Sequence, residues 1–168
     1  MSKPKIRITV KDFGTMTAEL YPEFAPKTVE NFLKLARERF FDGLIFHRVI
    51  SGFMLQGGGY NAEMEQKETK AIRGEFRANG FAQNTLKHTK GVLSMARTSD
   101  PNSASSQFFV MHQAAPHLDG QYAACGKVIE GEDVIDKIAN VATGNYGWYM
   151  QDVPVDTVEI ETIEVVSE

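Results

Sequence analysis

Leu44-Ile45-Phe46-His47-Arg48-Val49-Ile50 and Phe53-Met54-Leu55-Gln56-Gly57 read as two short β segments, 44–50 and 53–57, separated by Ser51-Gly52. A period of two puts Leu44, Phe46, Arg48 and Ile50 on one face of the first segment, and Ile45, His47 and Val49 on the other. A guanidinium is expensive to bury unpaired. Arg48 is therefore satisfied by a carboxylate, placed at a barrel rim, or part of a site.

The same short segments recur at 92–97, 107–111 and 121–129. Upstream, Ile6, Ile8 and Val10 alternate with polar residues, Asp12-Phe13-Gly14 makes a turn, and Met16, Ala18 and Leu20 alternate again. Residues 5–21 thus predict a β-hairpin. Pro26 suits a first helical turn, and Val29, Phe32, Leu33, Ala36 and Phe40 follow at helical spacing, predicting a helix over about 26–39. Gly131 opens a second, shorter helix carrying Val134, Ile135 and Ile138. In the last strand Val158 and Ile160 have one parity, Ile163 and Val165 the other, which predicts a β-bulge near Glu161-Thr162. Residues 58–90 and 98–106 have loop chemistry. Many short strands with two isolated helices predict a mostly β, closed or nearly closed antiparallel barrel, as one domain over 1–168.

A chain of 168 residues with 42% hydrophobic and 24% charged side chains has enough apolar content for one core and is not a disordered protein. Eighteen basic against 22 acidic side chains argue against a nucleic-acid partner. Cys125 is the only cysteine, which excludes an intramolecular disulfide scaffold. Charges interrupt the apolar residues of the first ten positions, and no apolar run approaches the ~20 residues of a membrane span. The expectation is a cytoplasmic protein with no membrane partner.

The common catalytic sets do not assemble from the sequence. His112, His117 and Asp119 are close enough in sequence to suggest zinc, but no HExxH, CxxC or His-rich tract accompanies them, so no metal is expected. Ser94 has no nucleophile-elbow frame and Ser105-Ser106 no identifiable base. Gly57-Gly58-Gly59 lacks the Lys-Ser/Thr of a phosphate loop and reads as a strand ending in a tight turn. Cys125 reads as a small buried hydrophobe. What remains is a surface in which Met54 shares a face with Gln56, and Gln107 with Phe109. Phe and Met bordered by amides and one guanidinium can hold an apolar ring while hydrogen-bonding an extended peptide.

On these residues the chain resembles the cyclophilins. The resemblance is carried by the run from Phe46 to Gly58, by Leu93-Ser94-Met95-Ala96-Arg97, by Ser106-Gln107-Phe108-Phe109-Val110, by His117-Leu118-Asp119-Gly120 and by Gly126-Lys127-Val128. Their order and spacing extend through essentially the whole chain, and Met95 to Phe109 looks most like the bacterial members. The resemblance implies a closed eight-stranded antiparallel barrel capped by two α-helices, and a peptidyl-prolyl cis-trans isomerase that assists protein folding without a cofactor. It implies Arg48 as the catalytic arginine, with Phe53, Met54, Phe109 and Leu118 as walls of the proline pocket and Gln56 and Gln107 as its amides. It implies substrate-backbone pairing at Ala96 and Arg97, with His47 in a supporting place. Its implied partners are proline-containing peptides and unfolded or folding proteins, and the chain is expected to be a monomer.

Three departures from the family pattern stand out. His117 lies where many members have tryptophan, and Tyr122 where many have histidine. Residues 59–73 do not match the stretch that borders the proline site in the eukaryotic members. By the resemblance, losing the tryptophan implies only weak binding of cyclosporin. The competing reading is a non-enzymatic proline-peptide module on the same barrel, which could dispense with Arg48.

Overall fold

The computed structural model describes residues 3–147 and 150–168. Met1 and Ser2 of the N-terminal stretch lie outside it. The predicted hairpin is β1 (Lys5–Val10) and β2 (Gly14–Leu20), followed by α1 (Pro26–Arg37). The helix stops two residues before the expected end, because Arg39 takes a left-handed φ of 58°. Then come β3 (Leu44–Ile50), β4 (Met54–Asn61), β5 (Val92–Met95), β6 (Phe108–Met111) and β7 (Ala124–Glu130). The chain continues through α2 (Glu132–Ala139), β8 (Thr143–Tyr146), β9 (Met150–Pro154) and β10 (Ile160–Ser167).

Eight strands form one antiparallel sheet in the order β10-β1-β2-β7-β5-β6-β4-β3, and β8-β9 form a separate pair that the sequence patterning did not signal. The sheet curls until β3 meets the chain just before β10. The Gly43 N–H donates to the Ile160 carbonyl and the Phe46 N–H to the Val158 carbonyl, both at 2.9 Å. Beside these bonds the two edges share an isolated bridge, Ile45 to Glu159, and no named strand ladder among the described residues. "Closed" therefore overstates the barrel: residues 158–160 cross from β3 toward β1 instead of laddering along both. The expected bulge is present, since Thr9 pairs with Thr162 but Val10 with Ile160, leaving Glu161 as the extra residue.

Alternation along β6 separates two apolar layers. Phe108 and Val110 belong to the main core, while Phe109 and Met111 belong to a second cluster on the opposite face, with Met54, Val92 and Leu118. In the main core the Phe32 ring of α1 stacks on Phe41 at 5.0 Å and meets Phe108 edge-on at 5.4 Å. The second cluster forms the floor beneath the candidate site.

Two local readings change. Gly57, Gly58 and Gly59 run inside β4, not in a terminal turn. A Cβ at Gly57 would sit 2.7 Å from the Ile45 carbonyl, and one at Gly59 2.3 Å from Gln107 Cγ, so the bare backbone serves close strand packing. In β3, Phe46 pairs with Gly57 while Arg48 pairs with Gln56, which makes His47 the extra residue of a bulge. Strict alternation put Arg48 beside Phe46. The bulge instead leaves Phe46 and Val49 both in the core and turns Arg48 out to solvent.

Candidate active site

A cleft of about 160 Å³ opens on the outer face of the sheet, over the second apolar cluster. Phe53, Met54 and Phe109 line it with Leu118 and Tyr122, and Arg48, Gln56, Ala96 and Arg97 border it. Register explains the convergence: Met54 pairs with Met111 and Gln56 with Phe109, so one face of β4 meets one face of β6. Gln107 and His47 line an adjoining groove that shares Gln56, Ala96 and Arg97 with the cleft. His117 stands beside the cleft, stacked on Phe53 with ring centroids 5.8 Å apart.

The two arginines are held very differently. Arg97 lies between Phe76 and Tyr122, 4.8 Å from each ring centroid, and donates from Nε and Nη2 to the Gln121 carbonyl at 3.0 and 2.8 Å and from Nη1 to the Thr98 carbonyl. Its side chain is a brace. Arg48 is exposed and has one hydrogen bond among the described residues, a long one from Nη1 to Gln56 Oε1 at 3.4 Å. Gln56 Nε2 in turn donates to Gln107 Oε1 at 3.0 Å. Ala96 commits its N–H to the Gln107 carbonyl, while its own carbonyl and the Arg97 N–H have no backbone partner among the described residues. An extended peptide could pair there.

His47 shares a groove with Arg48, contrary to the opposite-face placement drawn from alternation, because the bulge rotates the strand between them. Its ring contacts Tyr60 at 4.6 Å, and Nδ1 is buried with no hydrogen-bond partner among the described residues. Burial, reinforced by the Arg48 charge, pushes its pKa down to about 4, so the ring is neutral near pH 7. Cys125 is fully buried in the core, and burial pushes its thiol up to about 12. A thiol held protonated in this way is a poor nucleophile.

Sequence reasoning missed a buried chain behind Phe109. His88 Nδ1 meets Asp119 Oδ1 at 3.0 Å and His88 Nε2 meets Ser94 Oγ at 2.8 Å, so Ser94, which has no nucleophile-elbow frame, nonetheless has a histidine partner. Ser94 is fully buried, so Oγ is closed to a substrate carbonyl. Burial outweighs the Asp119 contact and lowers the His88 pKa. The residues considered for zinc go to separate partners: His112 to Asp136, His117 to Phe53 and Asp119 to His88. No group of three or more His, Cys, Asp or Glu among the described residues is arranged to hold a metal ion. Nor is any helix among them long and apolar enough to cross a membrane.

Residues 5–165 match the family model described as cyclophilin type peptidyl-prolyl cis-trans isomerase/CLD. The chain is 44% identical over 162 residues to a peptidyl-prolyl cis-trans isomerase of Acinetobacter baylyi, covering 93% of this chain and 82% of that one. It is 44% identical over 161 residues to peptidyl-prolyl cis-trans isomerase B of Escherichia coli, covering 90% and 94%. A crystal structure of a cyclophilin type isomerase from Cryptosporidium parvum superposes with a TM-score of 0.80 at 28% identity, covering 99% of each chain. The same parasite protein crystallised in the presence of the dipeptide Ala-Pro gives 0.78. An outward-turned arginine beside an apolar cleft, on this curled sheet and with these relatives, has one reading: the chain belongs to the cyclophilin-type peptidyl-prolyl cis-trans isomerases.

Proposed function

We propose that Arg48 is the catalytic group, that Phe53, Met54, Phe109 and Leu118 hold the proline ring, and that Gln56, Gln107 and the backbone at Ala96–Arg97 hold the flanking chain. The observation that carries this is the outward-turned Arg48 guanidinium, bonded at long range to Gln56, at the edge of a cleft walled by Phe53, Met54, Phe109 and Leu118. His47, His117 and Tyr122 shape the rim. The Ala-Pro dipeptide crystallised with the Cryptosporidium relative supports proline peptides as ligands here.

Rotation about a peptide bond faces a barrier of ~18–20 kcal/mol because the nitrogen lone pair is delocalised into the carbonyl. For X-Pro both isomers are populated, but uncatalysed exchange takes roughly tens to hundreds of seconds. No covalent bond need break. The protein must bind the twisted amide, whose nitrogen lone pair has become localised and basic, better than either planar form. A guanidinium donates in a fixed geometry and stays charged. Directed at the prolyl nitrogen or carbonyl beside a water-poor wall, it favours loss of conjugation.

X-Pro segments of unfolded or folding chains are the substrates on this reading, and a cytoplasmic monomer of one domain is its setting. A protease-coupled assay on an Ala-X-Pro-Phe peptide tests it. Isomerisation above the uncatalysed background is expected. Background rate with intact peptide binding would establish the non-enzymatic module instead.

A further inference from the structure

Phe53 reaches the cleft from a tight turn, and one histidine pins that turn. Gly52 has a φ of 81°, and its N–H donates to His112 Nδ1 at 2.8 Å. Since Nδ1 accepts, the proton sits on Nε2, which donates to Asp136 Oδ1 of α2 at 3.2 Å. The Lys90 ammonium donates to the same Oδ1 at 2.9 Å, which keeps the Asp136 carboxyl below the usual carboxylate range. The His112 backbone N–H also donates to the Phe53 carbonyl at 2.9 Å. The Phe53 N–H closes the turn onto the Ile50 carbonyl at 3.0 Å. A Cβ built at Gly52 would meet nothing closer than Gln113 Oε1 at 4.0 Å, so no close packing holds the Gly52 peptide itself. The imidazole is its side-chain tether.

We propose that His112 is a positioning residue of this isomerase: braced by Asp136, it fixes the Gly52 turn that aims Phe53 into the proline cleft, and so sets affinity for the substrate's proline ring. This rests on reading Phe53 as a cleft wall. Phe53 grips the ring in planar and twisted states alike, so loosening it raises KM and leaves kcat.

Asparagine and glutamine separate the two contacts of His112. In His112→Asn the amide reaches the place of Nδ1 and still offers Gly52 an acceptor. In His112→Gln it reaches the place of Nε2 and leaves the Gly52 N–H without one. His112→Gln is expected to raise KM for an X-Pro peptide about three- to tenfold with kcat within about twofold, while His112→Asn keeps KM within about twofold of wild type. Phe53→Ala, measured in parallel, should raise KM at least as far. An unchanged KM in His112→Gln, with KM raised in Phe53→Ala, overturns the role of His112 alone. An unchanged KM in Phe53→Ala overturns the reading of Phe53 itself. On the wild-type protein, imidazole nitrogen shifts measured by NMR should report His112 protonated at Nε2 and accepting at Nδ1. The opposite tautomer overturns the proposal whether or not the variants fold.

Discussion

The Gln56 amide joins Arg48 to Gln107: Oε1 accepts from Arg48 Nη1 at 3.4 Å while Nε2 donates to Gln107 Oε1 at 3.0 Å. Gln107 thereby fixes which end of the amide faces the guanidinium. The long bond to Arg48 orients the cation without consuming its other donors. Such a group can tighten onto a substrate.

Removing this link should weaken catalysis in steps. Gln56→Ala leaves the guanidinium without an orienting acceptor, and kcat/KM is expected to fall about tenfold, or ~1.4 kcal/mol. Gln107→Ala keeps the Arg48–Gln56 contact and should cost less. Steady-state kinetics on an X-Pro peptide check the order; a larger loss in Gln107→Ala would contradict it.

The N-cap residue of helix α1 is Ala25, which provides no side-chain cap. Glu75 does so from far along the chain, accepting from the Thr28 N–H and Thr28 Oγ1 at 2.7 Å and from the Lys27 N–H at 3.2 Å. A carboxylate at a helix N-terminus is favoured by the dipole as well as by these bonds. Glu75→Ala would leave buried donors unpaired and should destabilise the fold by ~2–3 kcal/mol in urea unfolding. A loss below about 0.5 kcal/mol would contradict that account.

His47 gives stability a pH dependence. Its folded pKa is about 4, against an ordinary 6.5, so between these values the unfolded chain binds a proton that the folded one refuses. Stability from this group is complete above pH 6.5 and is lost as pH falls toward 4, by ~3 kcal/mol at most. His88 is also shifted down and acts in the same sense. Unfolding measured across this range in wild type and His47→Gln should show a shallower slope in the variant. Equal slopes would show that His47 is not the group responsible.

His117 stacks on Phe53 in the place where many family members carry tryptophan. Its smaller ring covers less apolar surface and its N–H has a different reach. Cyclosporin should therefore inhibit wild type weakly and His117→Trp roughly 10- to 100-fold more tightly, with kcat/KM for a proline peptide little changed. Tight inhibition of the wild type, or no gain from tryptophan, would remove His117 from the rim.

These sites differ in how far the sequence disclosed them. The bulge at Glu161 was legible because apolar residues change parity across it, from Ile160 to Ile163. The bulge at His47 was not, because Leu44, Ile45 and Phe46 are apolar on both faces and hide a register slip. That slip decides whether Arg48 faces the core or the cleft. The cap from Glu75 and the Ser94–His88–Asp119 chain join distant segments, and neither leaves a local pattern. The β8–β9 pair escaped notice because Thr143–Tyr146 is exposed throughout and lacks alternation. The cleft residues were found through resemblance in the runs around Arg48 and Phe109, and their common face follows from pairing of β4 with β6.

In the proposed mechanism Arg48 acts on the twisted amide and contributes little to holding the peptide. Arg48→Ala separates these roles, with kcat/KM from the coupled assay set beside peptide affinity from calorimetry. A donor acting only in the transition state is worth ~2.7–4 kcal/mol of barrier, judged by oxyanion-hole cases. A fall of roughly 100- to 1,000-fold in kcat/KM is expected, with affinity changed less than about threefold. Equal losses in rate and affinity would make Arg48 a peptide anchor and remove it from the catalytic step.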